Sequence, residues 1–339
     1  MAEPFADLLG QPRAASLLAA ALDRGHLAPA YLFAGPEGVG RRLAALRFLE
    51  GVLQGQAGAS ERPTSLRRRL RQGNHPDLLW VEPTHLHQGR LVPASRAEEE
   101  GVNRRSPPQI RLEQVREVSR FLARRPVESD VGLVVFDGVE AMAEAAANAL
   151  LKTLEEPGAG LLILITAAPE QLVATIRSRC QLVPFRRLPA DLVEQVLLRV
   201  DPHGAVDAPS EGAASPELLE LAAGSPGALL QHRRRWRELP HGVAERLLHL
   251  GPDPLESLTL ARDLTEALDA EQQLWLLGWW QLARWRRRPR VADMRRLERL
   301  RRQLLAHVQP RLAWEVALLE LGGSGSASGA AAHAAAAAG

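Results

Sequence analysis

One glycine-rich stretch and one strand-terminal acid could handle a phosphate in this chain. Gly35-Pro36-Glu37-Gly38-Val39-Gly40-Arg41-Arg42 has the spacing of a P-loop, in which backbone N–H groups wrap an oxyanion at the mouth of a helix. The candidate cofactor-binding residues are therefore Gly35, Gly38, Gly40 and Arg41. The lysine of that pattern is here Arg41, and the Ser or Thr that would hold magnesium is Arg42. A guanidinium differs from an ammonium in shape and hydration and does not deprotonate. Arg42 also lacks a hydroxyl and repels a metal ion. The loop's shape is kept while its hydrolytic chemistry is not. Val134-Val135-Phe136-Asp137 is an apolar run ending in an acid, the Walker B arrangement that lets Asp137 orient magnesium. The same residue could equally be a turn or cap. The next position, where an ATP-hydrolysing site keeps a glutamate to activate water, is Gly138, and Glu140 lies two residues further on.

Composition narrows the chemistry. Of 42 Lys plus Arg only Lys152 is lysine, which leaves 41 arginines. Any lysine-dependent reaction must use Lys152, and that residue is not in the glycine-rich loop. Basic and acidic groups nearly cancel, 42 against 40, so any polyanion-binding role must come from a local patch. At 46% hydrophobic and 24% charged the chain reads as globular. It contains no apolar run long enough to span a bilayer, and its start lacks the basic and apolar regions of a secretory signal. The single cysteine, Cys180, excludes an internal disulfide and a multi-cysteine zinc site. A cytoplasmic location is expected.

Those residues need a scaffold. Up to residue 187, short apolar runs (31–34, 78–81, 133–136, 161–165 and 182–185) alternate with helical patterns. In 110–125, Leu112, Val115, Val118 and Leu122 share a face, and 141–155 stops before Pro157. Continuous apolar strands alternating with helices predict an α/β domain on a parallel sheet. From 188 onward the pattern is helical, over 190–200, 216–232, 241–250, 255–268, 270–287, 291–307 and 309–321, with a break near 233–241. Residues 84–108 read as a long surface loop, and 322–339, built of Gly, Ser, Ala and one His, as a disordered tail. Trp275, Trp279, Leu282 and Arg286 recur as one helix face, which favours bundle packing. The neighbouring arginines of 284–290 leave a nucleic-acid contact open.

Thr175-Ile176-Arg177-Ser178-Arg179-Cys180-Gln181, alone a solvated basic stretch, resembles the Ser-Arg-Cys motif of bacterial clamp-loader subunits, AAA+ proteins of the DNA polymerase III holoenzyme. Ala145 to Pro157, Gly10-Gln11 before a helix, and Gln309 to Ala313 before the last helix are similar to further segments of that family. The resemblance implies a P-loop-type α/β domain over 1–187, a small helical lid over 188–234 and a helical collar for oligomerisation over 235–321, before the 322–339 tail. It implies that Arg179, in the context of Ser178 and Cys180, is an arginine finger acting in a neighbouring subunit's ATP site. It also implies that Gly227 replaces the sensor arginine of hydrolysing members.

Arg41, Gly138 and Gly227 together make turnover improbable and point to the member that lends a finger without hydrolysing ATP. Expected partners are the motor (gamma/tau) subunits, delta, the sliding clamp and primed DNA, with no membrane. No cofactor is required, ATP binding in its own loop is doubtful, and no metal is expected. Many members of the family it resembles carry a four-cysteine zinc module before the segment matching His75-Pro76-Asp77. Here residues 55–73 hold no cysteine, so a short basic helix or charge run replaces it. The alternatives are an active or nucleotide-binding AAA+ ATPase subunit of gamma/tau type, and a single-strand-binding module over 275–290.

Overall fold

The computed structural model describes residues 4–55, 62–97, 99–102, 107–200, 215–306 and 308–323. The chain divides into two compact units, Met1–Val200 with Gly224–Gly227, and Asp201–Ala223 with Ala228–Gly339. Within the first unit the elements run α1 (Pro12–Arg24), β1 (Ala30–Ala34), α2 (Arg41–Gln54), α3 (Pro63–Gln72), β2 (Leu78–Val81), β3 (Thr84–His87), β4 (Arg90–Pro93), α4 (Leu112–Leu122), β5 (Gly132–Asp137), α5 (Glu144–Glu155), β6 (Gly160–Thr166), α6 (Ala174–Arg177), β7 (Gln181–Pro184) and α7 (Ala190–Val200). All five expected apolar runs are strands of one parallel sheet, in the order β2-β5-β6-β1-β7. Every residue of β1 and β5 is buried, as a sheet covered on both faces requires. One face packs Val115 and Val118 of α4 and Ala146 and Leu150 of α5 against Val134, Phe136, Leu162 and Leu164.

The basic stretch that stands in place of cysteines forms α3. Arg67 pairs with the buried Glu50 of α2 at 2.9 Å, and Arg69 with Glu128 at 2.8 Å. Asp77 organises the approach to β5. Its carboxylate accepts N–H groups from Val127, Glu128 and Ser129 and the Ser129 hydroxyl, at 2.7–2.9 Å. Burial alone would raise its pKa, but these four hydrogen bonds favour the charged form and hold it below the usual carboxylate range.

Two expectations are corrected. Residues 84–108 are not simply a loop: β3 and β4 form an antiparallel hairpin, with His85 opposite Val92 and Leu86 opposite Leu91. Gln88 and Gly89 both take positive φ, 47° and 77°, the geometry of a two-residue turn whose twist matches the strands. Residues 98 and 103–106 of that stretch lie outside the described residues. The helix expected over 216–232 is two helices, α8 (Pro216–Ala222) and α9 (Pro226–Arg237). Ala223 and Gly224 have positive φ, 47° and 78°, and Pro226 fits only the first turn of a new helix.

The second unit continues with α10 (Val243–Leu248), α11 (Pro254–Ala267), α12 (Ala270–Arg287), α13 (Val291–Leu305) and α14 (Pro310–Gly323). The disordered tail was expected from 322. Gly322 and Gly323 close α14, and 324–339 lie outside the described residues. Asp269 caps α12 by accepting Gln272 N–H at 2.8 Å. The tryptophans are mainly core. Trp279, Trp280 and Trp314 are fully buried, and Trp280 donates to Leu247 O at 3.0 Å while Trp314 donates to Gln273 Oε1 at 3.0 Å. Among the described residues no helix is long and apolar enough to cross a membrane.

His232 sets a pH limit on this unit. Its Nδ1 accepts the Trp275 indole N–H at 3.0 Å, which requires a neutral ring. Burial, and then the nearby Arg235 charge, lower its pKa below 6.5. A folded-state pKa below the unfolded one leaves this contribution intact above pH 6.5 and removes it as the pH falls towards the folded value. Denaturant midpoints of the full chain at about pH 7.5 and pH 5.5 are expected to fall on the acid side, with a smaller fall in His232→Gln.

Candidate functional site

The glycine-rich loop leaves β1 at the carboxyl edge of the sheet, where open α/β sheets bind ligands. Register places Phe33, Ile165 and Asp137 at one level across β1, β6 and β5. Asp137 therefore stands two strand spacings, about 10 Å, from the strand that feeds the loop.

Three successive loop carbonyls are tied back by distant residues. The Ser225 hydroxyl donates to Glu37 O at 2.6 Å, Gly227 N–H to Gly38 O at 3.0 Å and the Gln11 amide to Val39 O at 3.3 Å. In a planar trans peptide the C=O and the following N–H point in opposite directions. With carbonyls 37–39 occupied in this way, the N–H groups of Gly38, Val39 and Gly40 each point away from the partner of the preceding carbonyl. Gln11 does more than sequence reasoning assigned to it. Its amide also donates to Arg186 O at 2.7 Å and accepts Arg186 N–H at 3.0 Å, so one buried side chain pins the loop to the chain leaving β7.

The two arginines of the motif take different positions. Arg41 is buried, with its Nη1 lacking a hydrogen-bond partner. Burial lowers its pKa against the opposing pull of Glu140, Asp137 and Glu37, yet it remains a cation. Arg42 turns to the end of β5, where its Nε lies against the Asp137 carboxylate and its Nη2 is 3.7 Å from Glu82. A magnesium ion at this loop would need the hydroxyl that Arg42 lacks and the carboxylate that Arg42 engages, so these residues do not fit the ion.

The two glycines expected to mark lost functions are required where they stand. Gly138 has a φ of 76°, a conformation strained for a glutamate. A Cβ on Gly227 would lie 2.6 Å from Gly38 Cα, so a sensor arginine cannot occupy that position without displacing the loop. Glu140 accepts Ala167 N–H at 3.0 Å through one oxygen, and its other oxygen is buried without a hydrogen-bond partner.

Thus Gly35, Gly38, Gly40, Arg41 and Asp137 are brought together at one sheet edge. Arg179, Ser178 and Cys180 lie apart from them, just after α6. Arg179 is exposed, and its guanidinium donates to Thr175 O at 3.1 Å and Glu155 Oε1 at 2.6 Å. Glu155, at the end of α5, is the partner that spacing did not reveal. The Ser178 hydroxyl donates to Thr175 O at 3.2 Å. Cys180 packs against the sheet core, and burial pushes its thiol up to about 11. It is a packing residue with little thiolate at neutral pH. Among the described residues no three His, Cys, Asp or Glu side chains converge as a metal site would need.

Parallel sheet, edge loop and following helices define an AAA+ type of P-loop protein. Residues 10–189 match the family model described as DNA polymerase III, delta subunit, and residues 191–321 that of the cyanobacterial DNA polymerase III delta prime C-terminal domain. The chain belongs to the DNA polymerase III delta-prime family. It is 34% identical over 200 residues to subunit delta' of Bacillus subtilis, covering 58% of this chain and 54% of that protein. It is also 34% identical over 209 residues to subunit delta' of Pseudomonas aeruginosa, covering 60% and 55%. The chain thus spans about half the length of these relatives. A gamma subunit-related DNA polymerase III protein of Thermotoga maritima shares the fold at a TM-score of 0.53 and 18% identity, over 92% of this chain and 99% of that one.

Replacing Gln11 by Ala is expected to leave Arg186 N–H and two carbonyls without their partner. The expected cost is about 1–3 kcal/mol of stability, measured by denaturant unfolding.

Proposed function

We propose that this chain is a non-hydrolysing clamp-loader subunit of delta-prime type. It supplies Arg179 in trans to the ATP site of a neighbouring motor subunit and has no turnover of its own. In this proposal 1–187 form the P-loop-type domain, 188–234 the lid and 235–321 the collar that holds the other subunits. The partners are motor subunits of gamma/tau type, delta, the sliding clamp and primed DNA. The chain acts in the cytoplasm as part of a DNA polymerase holoenzyme.

The observation that supports this most is the guanidinium of Arg42 against Asp137. The chain's own cation engages the acid that a hydrolysing site would use to orient magnesium. The second support is Arg179, exposed beside Glu155. A planar fork held at a surface suits a phosphate carried by another chain. In that role it would stabilise charge on the transferring phosphoryl group, an effect worth about 10³–10⁵-fold in turnover.

A second reading, nucleotide binding without turnover, is favoured by the buried Nη1 of Arg41, which lacks a hydrogen-bond partner at the end of the glycine-rich loop. It differs from the first only in whether the loop is occupied.

The test is a complex reconstituted with motor subunits, delta and clamp. Arg179→Ala is expected to reduce turnover at the one site it serves by about 10³-fold. The complex then loses that site's share of ATPase and its loading of clamps on primed DNA. Arg179→Lys keeps the charge but not the fork and is expected to rescue poorly. Unchanged ATPase and loading with Arg179→Ala would sink the finger assignment.

A further inference from the structure

The α12–α13 hairpin of the second unit has a charge distribution that the finger role does not use. Residues 284–302 hold ten arginines against two acids, Asp293 and Glu298. Several of the ten are structural. Arg284 and Arg296 both pair with the buried Asp293, at 2.9 and 3.2 Å. Arg286 pairs with Glu220 at 3.1 Å, Arg299 with Glu320 at 3.1 Å, and Arg287 donates to Leu248 O at 3.3 Å. Arg288, Arg295 and Arg302 are exposed, and no carboxylate of the described residues pairs with them. On α13, Arg295 and Arg302 are two turns apart, about 10 Å along the axis.

Beside this ridge lies an open groove of about 570 Å³. Its apolar lining comes from Leu221, Leu282, Trp285 and Met294, and its polar lining includes Arg301 and Glu220. Trp285 is the exception among the α12 tryptophans: 43% of its surface is exposed, where Trp279 and Trp280 are buried. Arg301 is held at the groove by Gln281 and by Glu298 at 3.5 Å. Arg295 and Arg302 each follow a groove residue, Met294 and Arg301, by one position, about 100° around the helix. Arg295 and Arg302 therefore flank the groove on the α13 side, and Arg288 lies at the end of α12, three positions after the groove residue Trp285.

We propose that this face binds single-stranded nucleic acid: an unpaired base stacks on Trp285 in the groove, and the phosphates run along Arg288, Arg295 and Arg302. A positive track beside an aromatic platform is the general arrangement for sequence-independent single-strand binding. A duplex keeps its bases stacked inside and cannot use Trp285. Glu220 and Glu298 disfavour a polyanion locally, but each is engaged by an arginine. The inference holds whether or not Arg179 acts as a finger.

The test titrates the full chain with a labelled oligo-deoxythymidine strand over a range of salt, reading fluorescence anisotropy. The wild-type chain is expected to bind, with log K falling linearly against log salt. The triple variant R288A/R295A/R302A is expected to lower the slope by about two, from three contacts at about 0.7 each on single strands. The triple Arg→Lys variant keeps the slope, which guards against misfolding of the alanine variant. Trp285→Ala is expected to weaken binding about tenfold, one base–aromatic stack, without changing the slope. Three results would overturn the proposal: no binding by the wild-type chain, equal affinity for the matching duplex with no effect of Trp285→Ala, or loss of slope in none of the arginine variants. Tighter binding of poly-glutamate, dependent on the arginines and indifferent to Trp285, would assign the face to an acidic protein segment instead.

Discussion

A guanidinium lies where a phosphate-transfer site would need a metal ion, and the character of the α/β unit follows from that one contact. Asp137 ends a fully buried strand, so its carboxylate is delivered to the sheet edge with little freedom. Arg42 is the second residue of the helix that the loop opens, so its side chain starts at the same edge. The two meet as a charge-assisted pair between an exposed guanidinium and a buried carboxylate. A divalent cation entering here would be repelled by Arg42 and would have to displace it. Other features agree with that state. Gly138 has a backbone shape that a glutamate resists, and Gly227 lies too close to Gly38 to carry an arginine.

The loop itself has not collapsed. Ser225, Gly227 and Gln11 each take one of its carbonyls, so its shape is over-determined by residues between 28 and 189 positions away. Retention of that shape beside the Arg42–Asp137 contact agrees with the proposed non-hydrolysing role. In the proposed role the function rests on a side chain elsewhere. Arg179 keeps its fork at the surface, with Glu155 holding one end. An exposed pair of this kind is worth at most about 1 kcal/mol, so a phosphate can replace the carboxylate at little cost.

Much of this was legible in the residues. The five strands are continuous apolar runs, and the loop's glycine spacing survives a change of its lysine. The buried tryptophans of α12 follow a helical period. What spacing could not reveal were pairings between distant residues: Arg42 with Asp137, Gln11 with Val39 and Arg186, and Arg179 with Glu155. Local conformations hidden by residue type were missed too. Gln88 adopts a left-handed backbone that its identity does not signal, so the β3–β4 hairpin read as loop. The apolar period of 216–232 runs on across Gly224 and Pro226, so periodicity predicts one helix where these two residues end one and begin another. His85, His87 and the arginines around them also masked the alternation that marks a half-buried strand.

In the proposed role the chain's own cation, Arg42, stands in place of the metal and ends turnover in its loop. The direct measurement is phosphate release from ATP by the purified chain, with and without magnesium, beside Asp137→Asn. No magnesium-dependent release above the protein-free rate is expected, and the same for Asp137→Asn. Magnesium-dependent turnover by the chain alone, abolished by Asp137→Asn, would contradict it and restore the motor-subunit reading.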